Sequence, residues 1–159
     1  MEPADPGEAE QHLRRAAGEV ARAGNRWIES FALSEIYWLH ARAGNTRNAL
    51  RGYSSVIEAW YRGGDWANQW LSLRHVFGLF VELEMHRVAA TLHGALSAAG
   101  AAYALPFLPA DSERLNQLVD ELRRTLGPAE FAAAVRHGAS MRDAEIIGFV
   151  LHEIGKLQE

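Results

Sequence analysis

The chain has no cysteine, a single lysine and only five prolines among its 159 residues. The missing cysteines exclude a disulfide scaffold, a thiolate zinc site, an iron–sulfur cluster and a thiol nucleophile. Positive charge is also in deficit. The formal net charge of −4 is the wrong sign for a protein whose main partner is a nucleic-acid backbone. The familiar enzyme motifs are missing too. There is no G-x-x-x-x-G-K-[ST] phosphate cradle, no G-x-G-x-x-G after a strand, no G-x-S-x-G and no H-E-x-x-H. No cofactor is therefore expected, and no catalytic or metal-ligating set is assigned.

No membrane-spanning run is expected either. Val88 to Ala110 carries no formal charge, but it is alanine-rich and broken by Gly94, Gly100, Pro106 and Pro109. Spanning segments are more strongly hydrophobic. This stretch reads as a tightly packing helix of small residues followed by a loop. The amino-terminal residues, Met1 to Glu10, are acidic and proline-bearing, unlike a secretory signal. The cytoplasm is the expected location.

What the chain has in abundance is helix formers: 27 alanines, and arginine at 15 of its 16 basic positions. Apolar spacing predicts helices over Pro6–Ala23, Arg26–Ala43, Thr46–Arg62, Asp65–Glu84 and Met85–Ala99. Gly24-Asn25, Gly44-Asn45 and Gly63-Gly64 stop the first three. Thr46 and Asp65 are the expected N-caps. The fourth helix is apolar nearly all round, with Trp66, Trp70, Leu73, Phe77 and Phe80 in one stripe, so it should be central. Beyond a proline-containing loop over 101–110, helices are expected over Asp111–Leu126 and Pro128–His137. Gly138 should break the second of these, and Ser140 should cap a last helix whose buried face is Ile146, Ile147, Phe149, Val150, Leu151 and Ile154.

The helices read as repeats. Arg26-Trp27-Ile28-Glu29 after Gly24-Asn25 matches Asp65-Trp66-Ala67-Asn68 after Gly63-Gly64, an offset of 39 residues. Helix–turn–helix units of this size indicate TPR-like repeats. The expected architecture is all-α: a right-handed superhelical solenoid over 1–100, the loop over 101–110 and capping helices over 111–159.

Two constellations are candidates for chemistry. From His12 to Gly64 there are eight arginines against four acids. Arg47, Arg51 and Arg62 share the third helix, on the side away from Leu50, Tyr53 and Ile57, where they would form a basic groove for an acidic segment or an anion. Of the five tryptophans, Trp27, Trp66 and Trp70 fall on core stripes, while Trp38 and Trp60 are the candidates for an exposed groove. A separate reading places a metal on Glu82, His86 and His93, although the seven-residue gap between the histidines is poor ligand spacing.

From Val88 onward the chain reads Ala89-Ala90-Thr91-Leu92-His93-Gly94-Ala95, then Leu105-Pro106, Arg114, Leu122-Arg123, Leu126-Gly127 and Phe131-Ala132-Ala133-Ala134, ending with Gly138 and Ala144. This resembles the TPR-like helical region of large actinobacterial transcription regulators of the LuxR/MalT-like ATPase type, some of which carry adenylate-cyclase-like domains. The resemblance implies a helical sensor or scaffold region that binds a protein partner or a small inducer. The phosphate-binding loop and the DNA-binding tail of that family have no counterpart in this chain, so ATP binding and direct nucleic-acid contact are not expected. The other readings are a helical metal-binding protein or enzyme, and an oligomerisation module forming homo-oligomers.

Overall fold

A computed structural model describes residues 6–99 and 109–158. The described residues form eight α-helices and one short 3-10 turn, with no strand among them. The helices are α1 (Pro6–Arg22), α2 (Arg26–Arg42), α3 (Thr46–Gly63), α4 (Trp66–Glu82), α5 (His86–Ala99), α6 (Pro109–Leu126), α7 (Pro128–Ala139) and α8 (Asp143–Gly155), followed by the turn Lys156–Gln158. Most of the loop expected over 101–110 lies outside the described residues. α6 starts at Pro109, two residues before the expected Asp111, because proline's fixed φ suits a first helical position.

The first four turns are copies of one another. Gly24, Gly44, Gly64 and Glu84 all have positive φ, at 76°, 84°, 68° and 58°. In each turn this residue's N–H donates three residues back, and the next N–H donates five back: Gly24 to Ala21 and Asn25 to Val20, through to Glu84 to Val81 and Met85 to Phe80. This Schellman pattern satisfies carbonyls that the helix end would otherwise leave orphaned. At the first and third turns the side chain of the following residue then caps the next helix. Asn25 Oδ1 accepts from Ile28 N at 3.3 Å and Asp65 Oδ1 from Asn68 N at 3.1 Å. The repeat therefore steps 20 residues per helix and 40 per pair. Gly24-Asn25 corresponds to Gly64-Asp65, and the expected offset of 39, which matched Trp27 with Trp66, is one residue short. Asn45, not Thr46, is the third N-cap; the Thr46 hydroxyl instead donates to Glu82 at 3.1 Å.

Each of the first five helices packs against its sequence neighbours, and α4 also touches α6. As expected, α4 is central: Trp70, Leu73, Val76, Phe77, Leu79, Phe80 and Val81 are all buried. Trp66 is only half-buried. Its ring lies 5.7 Å from that of Trp70. α8 lies against both α3 and α5 and buries Ile146, Ile147, Val150 and Ile154.

Backbone proximity governs the carboxy-terminal half. α5 and α7 touch through glycine: a Cβ on Gly94 would stand 2.1 Å from the Val135 carbonyl oxygen, and one on Gly138 would stand 1.7 Å from that of Thr91. Gly138 does not break α7, as its composition suggests, but lies buried inside it at the closest approach. Ser140 does not cap α8. It closes α7, its hydroxyl donating to the His137 carbonyl at 2.7 Å. Arg142 is the N-cap of α8, and Glu145 reaches back to accept from its backbone N–H at 2.7 Å.

Candidate binding face and cleft

α2 is sandwiched between α1 and α3, and its polarity is inverted relative to the usual rule. Ser30 and Ser34 are buried with Ala32 and Ile36, whereas Trp27, Ile28 and Phe31 stand exposed at 52%, 40% and 44%. α2 lies in close contact with α3. The Tyr37 ring lies over Gly52, where a Cβ would meet it at 2.1 Å, and the Tyr53 hydroxyl donates to the Ser34 carbonyl at 3.3 Å. Ile36 and the Tyr37 ring share the inward side of α2 with Ser30 and Ser34, and Trp27, Ile28 and Phe31 are left on the outer surface. Trp27, assigned to the core by its spacing, belongs to this outer surface.

Trp27 and Phe31 stack with ring centroids 5.9 Å apart and an interplanar angle of 7°. Further along α2, Trp38 is exposed and stacks on His75 at 4.7 Å. His75 Nδ1 lies 2.9 Å from the Tyr53 hydroxyl, whose pKa is pushed up by burial.

A cleft of about 390 Å³ opens where the start of α2 meets the end of α3. Arg26, Trp27 and Ser30 form one side, Trp60 and Arg62 the other, and Asp65 the end. Trp60, expected to be exposed, is buried at 3% exposure, because its ring packs edge-on beneath Trp27 with centroids 6.2 Å apart. Its indole Nε1–H is buried and has no acceptor among the described residues. Trp27 Nε1–H donates to Asp65 Oδ2 at 2.8 Å, and that oxygen also accepts from Asn68 Nδ2 at 2.9 Å. Desolvation pushes the Asp65 carboxyl upward, but the Asn68 and Trp27 bonds together outweigh it and hold the group below the usual carboxylate range.

The three arginines of the expected groove do not act at one place. At 1.5 Å per residue, Arg47 and Arg62 lie about 22 Å apart along α3. Arg47 is exposed at the start of the helix. Arg51 is half-buried and donates to the Leu157 carbonyl from Nε at 3.2 Å and also from Nη2, so it ties α3 to the chain following α8. Arg62 lines the cleft and pairs with Glu58 at 3.9 Å, both side chains exposed. Of the five residues proposed from the sequence, only Trp60 and Arg62 meet.

Glu82, His86 and His93 do not converge, and no group of three possible metal ligands exists among the described residues. Glu82 accepts from Thr46 and pairs with Arg114 at 3.5 Å. His93 sits between the Phe77 and Phe131 rings, 5.9 Å and 6.4 Å away. Burial, reinforced by the Arg123 charge, lowers its pKa. No helix among the described residues is long and apolar enough to cross a membrane.

Sequence reading missed Arg26, Trp27, Ser30 and Asp65 as one group. The available signal was on α2: its apolar residues do not fit a single stripe, so one of them had to face outward. No protein-family model, curated protein or solved structure matches this chain.

Proposed function

We propose that the chain is the helical sensor or scaffold region of a transcription regulator, a TPR-like array whose last helices cap it, and that it docks a partner protein on the outer face of α2. The observation that carries this reading is the exposed strip of Trp27, Ile28 and Phe31. Contiguous exposed apolar surface of this kind is the usual mark of an interaction site. Arg26 and Arg42 stand exposed at the two ends of the same helix, so the complementary surface is an apolar patch with an acidic rim. The 20-residue step of the turns supports a repeat array with helices longer than those of a 34-residue unit. The regulator context rests on the sequence resemblance, and the cytoplasm is its natural location.

A photo-crosslinking residue placed at Phe31, compared with one at the exposed Gly148 of α8, tests this. Crosslinking from position 31 alone to a DNA-binding or nucleotide-binding regulator is the expected result. Crosslinking to a second copy of the chain would make α2 an oligomerisation face instead. A partner unconnected with transcription would leave the docking face and end the regulator reading. Equal capture from both positions, or none, would overturn both.

A further inference from the structure

We propose that the cleft between the start of α2 and the end of α3 binds a small molecule carrying one carboxylate on a flat apolar body. This deepens the sensor reading by naming the chemistry of an inducer, and it does not depend on the partner protein.

The one carboxylate in the cleft lining is already satisfied. Asp65 accepts from the Asn68 backbone, the Asn68 side chain and Trp27, so its carboxylate is engaged within the protein. The groups left over are donors. The Trp60 Nε1–H has no acceptor among the described residues, but it is closed off from solvent and is not counted among these donors. The exposed Arg26 has no carboxylate within ion-pair distance among the described residues. Arg62 is held only by a long, solvent-exposed contact with Glu58, which is a weak competitor for a ligand. A surplus of donors selects an acceptor, and two guanidiniums flanking a cleft select a carboxylate, which they bind in a forked geometry.

The charge balance selects a monoanion. The lining carries two arginines against one aspartate, a surplus of one positive charge. The walls select the body. Trp27 is locked in orientation by its bond to Asp65 and its stacking on Phe31, and it meets Trp60 at 63°. Aromatic walls held in this way suit a planar apolar ring, which gains from stacked or edge-on contact. The volume, about 390 Å³, falls within the range of small-molecule sites.

Indole N–H resonances of the full chain, assigned by single Trp→Phe substitutions, provide the readout. Three probes are titrated: 2-naphthoate, the neutral 2-naphthylmethanol and acetate. Naphthoate should move the Trp60 and Trp27 resonances saturably, and each of the other two should bind at least about tenfold more weakly, a factor worth 1.4 kcal/mol. Arg26→Gln combined with Arg62→Gln should weaken naphthoate at least about tenfold while leaving the Trp70 resonance in place, since both arginines are exposed. Equal affinity for the alcohol would remove the anion from the proposal, and equal affinity for acetate would remove the ring. Shifts confined to Trp38 or Trp66, or an affinity unchanged in the double variant, would overturn the site. No partner protein is present in this experiment, so its failure leaves the crosslinking result intact, and the reverse also holds.

Discussion

The helices from Pro6 to Glu82 and those from His86 to Gly155 bury themselves by different means. In the first half, three glycine turns and one glutamate turn of identical hydrogen bonding set helices side by side. Contact is made by large side chains such as Tyr53, Trp60, Trp70 and Phe77. In the second half, α5 and α7 approach until backbone meets backbone at Gly94 and Gly138. Among the described residues, all six exposed large apolar side chains, Trp27, Ile28, Phe31, Trp38, Tyr61 and Leu71, lie in the first half. Packing by large side chains leaves clefts and outward-facing aromatics at the open edge of the array. Among the described residues, exposed apolar surface is therefore concentrated in the half that packs by side-chain size.

The largest expected effect tests the first half. Trp70→Ala removes a fully enclosed indole and should cost about 3–5 kcal/mol in urea denaturation. Trp38→Ala, which loses a stacking contact at the surface, should cost about 1 kcal/mol. Equal midpoints for the two variants would show that side-chain size does not hold this half together.

The counterpart in the second half is Gly138→Ala. Its added methyl has nowhere to go beside the Thr91 carbonyl, and it should cost about 3 kcal/mol. Gly148→Ala on α8 meets nothing within 4 Å and should instead stabilise by about 0.5–1 kcal/mol. A neutral Gly138→Ala would break the distinction between the halves.

A smaller gain is expected at the boundary between them. Glu84 holds the left-handed conformation that glycine supplies at the three preceding turns. Glu84→Gly should raise stability by about 0.5–1 kcal/mol. A loss would mean that the fourth turn is held by something other than the shared pattern.

The smallest effect concerns one proton. His93 is held neutral in the folded chain, with its pKa below the ordinary 6.5. The unfolded chain takes up a proton near pH 6.5 that the folded chain refuses, so stability should fall as pH drops from about 6.5 toward the folded pKa. His93→Gln should lose less stability than the wild type between pH 7 and 5. Parallel pH profiles would place His93 in a more solvated setting than the contact between the two halves provides.

The fold was largely legible because helix formation and termination are local. Gly24, Gly44 and Asp65 act on residues three to five positions away, and the stripe from Trp66 to Phe80 announces a central helix on its own. The site was far less legible. Trp60 and Arg62 could be singled out, and Asp65 follows them closely along the chain, but Arg26 and Trp27 join them only through long-range contacts, such as that of Trp27 with Asp65, 38 positions apart. Composition was also misleading at Gly138, where a glycine that commonly ends helices serves to let two of them touch.

By itself, the sequence determined the all-helical character, the turns and most helix limits, since these depend on propensity and on hydrogen bonds within one turn. The tertiary structure alone decided that α2 buries Ser30 and Ser34 beside Ile36 while it leaves Trp27 and Phe31 exposed. It also decided that Arg51 is engaged by the Leu157 carbonyl while Arg62 faces a cleft. The reason is the same in both cases: the fate of a side chain is set by which helix comes to lie beside it, and helical spacing carries no record of that neighbour.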